Sequence, residues 1–329
     1  MKFNRRSALL LAGMTALGLT APANAEVEET TLRLAHVVNE QDVYQDAAEK
    51  FRDLVAERSD GKIKVEIFPN ATLGDERTLL EGMQIGTVDM GIITNGPVSN
   101  FVEEIAVFEL PFLFPSREKA IEVLDGDIGQ EILGKLEGVN LKGLTYAERG
   151  FRNLTNSKRP VKSPADVDGL RVRVMENPVY VDSFRALGAD AIPMAWNEAL
   201  TAMQQGTIDG QENPVNVIYS FKLSETQKYL TMTRHTYAPA IIVMGMPAWQ
   251  QLSEEAQEIV LEAAKEAANF ERELSANSEG EQLQALRDQG MEIVEDADLA
   301  AFSEAVAPVY EKYGAKFGDY LPRIQEALK

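Results

Sequence analysis

The chain is 329 residues long, contains no cysteine and carries a formal net charge of −20. Without cysteine it has no disulfide, no thiol chemistry and no cysteine for a lipid anchor, so a packed core must hold it together. So acidic a chain repels nucleic acid and anionic membrane surfaces, which removes those partners from consideration.

The first segment is Met1-Lys2-Phe3-Asn4-Arg5-Arg6, basic and free of carboxylates, followed by an apolar run from Ser7 to Thr20 and by Ala23-Asn24-Ala25. That is the three-part pattern of a secretory signal peptide over residues 1–25, with Glu26 as the expected first mature residue. The 14 apolar residues are too few for a membrane span, which needs about 20. Arg5-Arg6 leaves the Sec and twin-arginine routes both open. Cleavage after Ala25 leaves 304 residues with a charge of −23, enough for two domains, expected in the periplasm as a soluble monomer.

Thr31 to Val37 and Lys62 to Phe68 alternate apolar and polar side chains, so each reads as a strand with one buried face. Between them, Tyr44 to Arg58 sets Ala47, Ala48, Phe51, Leu54 and Val55 at helical spacing, stopped by Ser59-Asp60-Gly61. A second helix follows at Asp75 to Gln84 and a strand at Val88 to Thr94. Strand and helix in alternation predict an α/β fold. Then the plan repeats. Met83-Gln84-Ile85-Gly86-Thr87-Val88-Asp89 returns as Met203-Gln204-Gln205-Gly206-Thr207-Ile208-Asp209, 120 residues later. Upstream, Asp60-Gly61-Lys62-Ile63-Lys64-Val65 resembles Asp168-Gly169-Leu170-Arg171-Val172-Arg173-Val174. Two matches in the same order predict two lobes of one design with a ligand cleft between them. Ser253-Glu254-Glu255 caps a helix expected to run to about Arg287, on the order of 50 Å at 1.5 Å per residue, buckled near Ser275 to Gly280 and long enough to brace both lobes.

Enzyme signatures are scarce. The sequence has no Gly-x-Ser-x-Gly, no Gly-x-x-x-x-Gly-Lys followed by Ser or Thr, no His-Glu-x-x-His and no Gly-x-Gly-x-x-Gly. His36 and His235 lack metal-ligand partners at helical spacing and read as structural. We expect neither cofactor nor metal. What does stand out is a basic island. Arg149 to Arg173 holds Arg149, Arg152, Lys158, Arg159, Lys162, Arg171 and Arg173 against only Asp166 and Asp168, a local charge of +5 in a chain whose mature remainder sums to −28. Lys158, Arg159 and Lys162 read as surface charge. Arg173 and Arg171 share one face of the strand built on Leu170, Val172 and Val174, and either could present the planar fork that grips a carboxylate. Gly210-Gln211-Glu212-Asn213-Pro214 follows the second repeat copy, either as amide donors in the crevice or as an Asn-Pro turn.

Leu73-Gly74-Asp75-Glu76-Arg77, Glu109-Leu110-Pro111-Phe112-Leu113-Phe114, Gly150-Phe151-Arg152-Asn153-Leu154-Thr155-Asn156, the Asp168 to Val174 strand, Ala195-Trp196-Asn197-Glu198 and Gln205 to Pro214 together resemble the solute-binding proteins of TRAP transporters, the DctP type. The resemblance covers essentially the whole mature chain. It implies a two-lobed periplasmic-binding-protein fold with a long helix spanning both lobes, closure on a small organic anion, and delivery to TRAP membrane permease subunits driven by an ion gradient. The lobes it suggests are 26–149 with about 239–278, and 150–238 with about 279–329. It selects Arg173 as the carboxylate clamp, Arg152 as the second arginine, Asn213 as the amide beside the carboxylate, and Glu76, Thr94, Asn95 and Trp196 as lining residues. Glu176 stands where sialic-acid binders carry asparagine, and an acid those binders have near Thr94 is missing, so sialic acid is disfavoured.

A sugar acid such as a uronate is the favoured ligand, because its hydroxyls can donate to Glu76 and Glu176 and its ring can lie on Trp196. A C4-dicarboxylate is the alternative, since Arg152 could serve a second carboxylate. Catalysis of the sugar-acid lyase or isomerase type lacks an acid–base constellation, and a receptor partner of a sensor module cannot be read from sequence.

Overall fold

A computed structural model describes residues 27–329, so the signal-peptide pattern lies outside the described residues. Its strands are β1 (Thr30–Ala35), β2 (Ile63–Phe68), β3 (Met90–Thr94), β4 (Leu141–Asn156), β5 (Arg171–Val174), β6 (Asp190–Pro193), β7 (Gly210–Asn213), β8 (Tyr229–Gly245) and β9 (Glu292–Val294). Eight of them form a path ordered β2-β1-β3-β8-β4-β7-β5-β6, with β9 added on β8. The order is palindromic in kind. β1 pairs in parallel with β2 and β3, as β5 does with β6 and β7. β3 lies antiparallel to β8, and β7 antiparallel to β4. The chain thus builds two α/β halves, joined through the long antiparallel pair β4–β8.

The repeat seen in the sequence is a repeat in structure. Helices Glu76–Ile85 and Trp196–Gln205 both end on a left-handed glycine, Gly86 at φ 80° and Gly206 at φ 67°, where a side chain would be strained. In the first half Arg33 donates from Nε to Asp89 Oδ2 at 2.8 Å and from Nη2 to Asp89 Oδ1 at 2.9 Å. In the second, Arg171 makes the same two bonds to Asp209 at 3.0 and 2.7 Å. Each clamp ties the first strand of its half to the turn that enters the third.

Local rules explain the helices. Asp42 and Asp75 cap Val43–Arg58 and Glu76–Ile85 by accepting from Tyr44 and Thr78 backbone N–H. The helix capped by Ser253 runs unbroken from Glu254 to Asp288, straight through the expected buckle at Ser275 to Gly280. Its small buried residues Ala263, Ala264, Ala267 and Ala268 share a core with Val43–Arg58 of one half, and it also packs on Val215–Ser220 of the other, whose core includes Leu286. The terminal segment touches both halves: Tyr313 donates to Asp182 at 2.5 Å, and Tyr320 to Glu131 at 2.8 Å.

One irregularity matters for the site. The β4–β8 register shifts between Glu148 and Gly150, so Arg149 is an extra residue in the strand, followed by Gly150 at φ 102°. A bulge of this kind re-aims a side chain. Among the described residues no helix is long and apolar enough to cross a membrane.

Candidate functional site

Between the halves lies a narrow cleft with an inner and an outer section. Val37, Glu76, Arg173, Met175 and Trp196 line both. Thr94, Arg149, Arg152 and Asn213 close the inner end. Asp75, Arg77, Glu176 and Asn197 form the mouth.

β5 delivers Arg173 to the cleft because Val172 and Val174 face the core, leaving the intervening side chain on the other side. Its Nε and Nη2 donate to the Met194 carbonyl at 2.9 and 2.7 Å, and its guanidinium lies 5.5 Å from the Trp196 ring centroid. Of five guanidinium N–H groups, those on Nη1 and one on Nη2 remain for an end-on partner. Arg173 forms no ion pair among the described residues, and burial lowers its pKa to about 10, so it keeps its charge at neutral pH. Arg171, two residues earlier, is spent on Asp209 and stays outside the cleft.

Arg152 is a second arginine, carried by β4. It lines the inner section, yet its guanidinium is locked on the Glu212 carboxylate through Nε and, at 2.8 Å, through Nη2. Both side chains are buried, and the Arg152 charge holds the Glu212 pKa down against the opposing effect of burial. His235 shares Glu212 at 3.2 Å and meets Thr233 at 2.8 Å, a structural role. His36 is likewise held, by Gln45 at 3.0 Å.

Sequence reasoning places Arg149 in the basic island but not in the site. The bulge turns it into the inner section, where it stacks 4.2 Å over Tyr44 and pairs with Asp42 at 2.6 and 3.1 Å. The Gly150 that follows is a usable signal for such a break in alternation.

Glu76 begins its helix and leans inward, accepting from the Thr94 backbone N–H at 2.6 Å. Burial raises its pKa, opposed by the Thr94 hydrogen bonds and by Arg149 and Arg173. Thr94 lines the inner end beside it. Asn213 also lines it, with its amide on Gln211 at 2.6 Å. Gly210–Asn213 is a buried strand rather than an Asn-Pro turn. Glu176 sits exposed at the mouth. Asn95 is not among the residues lining either section; its Nδ2 donates to Glu109 Oε1 at 2.7 Å and to the Ile105 carbonyl. Trp196 lines both sections, with the Arg173 guanidinium beside its ring.

A profile of the DctP family, bacterial extracellular solute-binding protein family 7, matches residues 34–316. The chain belongs to that family. Among solved structures, a TRAP periplasmic solute-binding protein of Bordetella bronchispeptica, with density assigned to pantoate, is 44% identical over 91% of this chain and 99% of that one, at a TM-score of 0.88. One of Polaromonas sp. JS666, bound to D-erythronate, is 40% identical over 90% and 98%, at 0.89. The 2,3-diketo-L-gulonate-binding periplasmic protein of Escherichia coli is 36% identical over 88% of each chain. This DctP-family chain is therefore a solute-binding protein of the TRAP type with the two-lobed fold of its relatives.

Proposed function

We propose that this protein captures a polyhydroxylated monocarboxylate, a sugar acid of the aldonate or uronate kind, and hands it to TRAP permease subunits. The single observation that carries this reading is a count of charge. Three buried arginines face the cleft, but Arg149 and Arg152 are already paired with Asp42 and Glu212, which leaves Arg173 as the cation without a carboxylate among the described residues. One free cation suits one carboxylate. A second ligand carboxylate would lie in a dry site beside Glu76, at a cost of several kcal/mol. Glu76, Asn197 and Glu176 along the outer section offer acceptors for hydroxyls instead. Pantoate, D-erythronate and 2,3-diketo-L-gulonate each combine one carboxylate with an oxygen on the neighbouring carbon, which supports the same class.

In this reading Arg173 grips the carboxylate end-on, Asn213 flanks it, and the hydroxyl chain points to the mouth. Lobe I is 26–149 with about 239–278 and lobe II begins at 150, so the β4 bulge at Arg149 lies at the hinge. Asn39 donates to the Ser220 carbonyl at 3.0 Å and Asn100 to the Glu176 carbonyl at 2.7 Å, hydrogen bonds that would latch the closed form. A ligand favours closure only through contacts it makes there. The leader pattern of residues 1–25 supports export to the periplasm, and no turnover of the ligand is assigned. A thermal-shift screen tests the class: galactonate, D-erythronate or glucuronate should raise the melting temperature while succinate and malate do not. A shift with succinate alone would contradict it.

A further inference from the structure

We propose that Glu76 takes up a proton when an organic anion binds beside Arg173, so that the cleft captures its ligand and a proton together. This rests on the anion-binding reading above. The reasoning starts from the charges that meet at the cleft. Arg149 is paired with Asp42 and Arg152 with Glu212, and Glu76 lines the same cleft as the unpaired Arg173, so that an ionised Glu76 brings these six charges to a sum of zero. The closed site is then already neutral, and an entering carboxylate leaves one uncompensated negative charge away from water. Coulomb repulsion in such a place exceeds what bulk solvent would allow. Protonating one carboxyl restores neutrality, and Glu76 is the one available. Asp42 and Glu212 are each held by a bidentate guanidinium, whereas Glu76 leans on Thr94, whose backbone N–H donates to its Oε1 at 2.6 Å.

The groups that face Glu76 are few. Tyr44 comes from the Val43–Arg58 helix, Thr94 from the end of β3, Arg149 from β4 and Arg173 from β5, with Asp75 and Arg77 adjacent on its own segment and Glu176 across the mouth. The two arginines favour the ionised form, and burial opposes it more strongly. An anion seated on Arg173 weakens one of those two attractions and adds repulsion, both of which drive proton uptake. A protonated Glu76 also gains an O–H, so it can donate to a ligand oxygen while still accepting from Thr94. His36, close to Asp42 and Arg149 and with a buried Nδ1 that has no partner, is the rival proton acceptor.

Calorimetric titration of the wild-type chain with galactonate, D-erythronate and glucuronate, at one pH in phosphate and in Tris, reads proton uptake from the difference in apparent heat. The proposal expects an uptake that peaks at about half a proton between pH 5 and pH 8, and an affinity that falls about tenfold across that range, the effect of a one-unit rise in the Glu76 pKa on binding. Glu76→Gln should lose both the buffer dependence and the pH slope. Binding with equal heats in the two buffers overturns the proposal and leaves the ligand class standing. Uptake that persists in Glu76→Gln and vanishes in His36→Gln also overturns it. Absence of binding by all three acids removes the ligand class and the proton proposal together.

Discussion

The two halves share a scaffold and differ in the residues they bring to the cleft. Arg33–Asp89 and Arg171–Asp209 are the same clamp built twice, and both helices that precede the clamp end on a left-handed glycine. Two residues beyond each clamp arginine, the first half has Ala35 and the second has Arg173. At the first position of the repeated helix the first half has Glu76 and the second has Trp196. Along the third strand Gly91-Ile92-Ile93 faces the 120-residue counterpart Gln211-Glu212-Asn213. Duplication fixed a backbone that aims equivalent positions at one cleft. The equivalent positions then carry an acceptor, Glu76, on one wall and the cation Arg173 beside Trp196 on the other.

That asymmetry can be broken, beginning with the largest effect. Glu212→Gln should leave Arg152 buried and unpaired, lowering unfolding free energy by about 3–5 kcal/mol. Ile92→Val at the equivalent position should cost only about 1 kcal/mol, both read from urea denaturation. Arg173→Lys keeps charge but loses the fork, and calorimetry should show sugar-acid affinity weakened by about 2 kcal/mol. Unchanged affinity in a folded variant would take Arg173 out of the site.

Next comes a pH effect from the seam. Glu109, bonded by Asn95 and Tyr180, has its pKa raised by burial to about 7. The folded state therefore binds the proton more tightly than the unfolded one. The stability this confers is present at low pH and is lost as pH rises through 7, by about 1 kcal/mol between pH 6 and pH 8. Urea midpoints should fall over that range, and Glu109→Gln should remove its part of the slope, leaving the part due to Glu148, whose pKa burial also raises to about 7. The smallest effect sharpens the likeness: Arg33→Lys and Arg171→Lys should each cost about 1 kcal/mol or less, equally, with ligand affinity untouched in both.

Much of this was legible in the sequence because it is local. Period-two alternation marked β1 and β2, and a seven-residue echo marked the duplicated helix–turn–strand unit. The strand that carries Arg173 was legible too, but its spacing left Arg171 and Arg173 equal, and only the family resemblance selected Arg173. Non-local pairing was not. Nothing adjacent to Arg152 shows that Glu212, 60 residues away, neutralises it. Arg149 stayed hidden because a bulge re-aims a side chain and Gly150 is its one local mark, and the turn of the Asn95 amide toward Glu109 is likewise a tertiary contact that no neighbour in sequence announces. The long helix crossed Ser275 to Gly280 unbroken because Ser275 is buried in tertiary contact, which outweighs the weak helix propensity of serine and glycine.

The most direct test is a crystal structure of the chain with galactonate bound. The account predicts the carboxylate on the Nη1–Nη2 edge of Arg173 and at least one hydroxyl within hydrogen-bond distance of Glu76, so that both halves hold one ligand. A carboxylate seated on Arg77 at the mouth, or a ligand touching only one half, would contradict it.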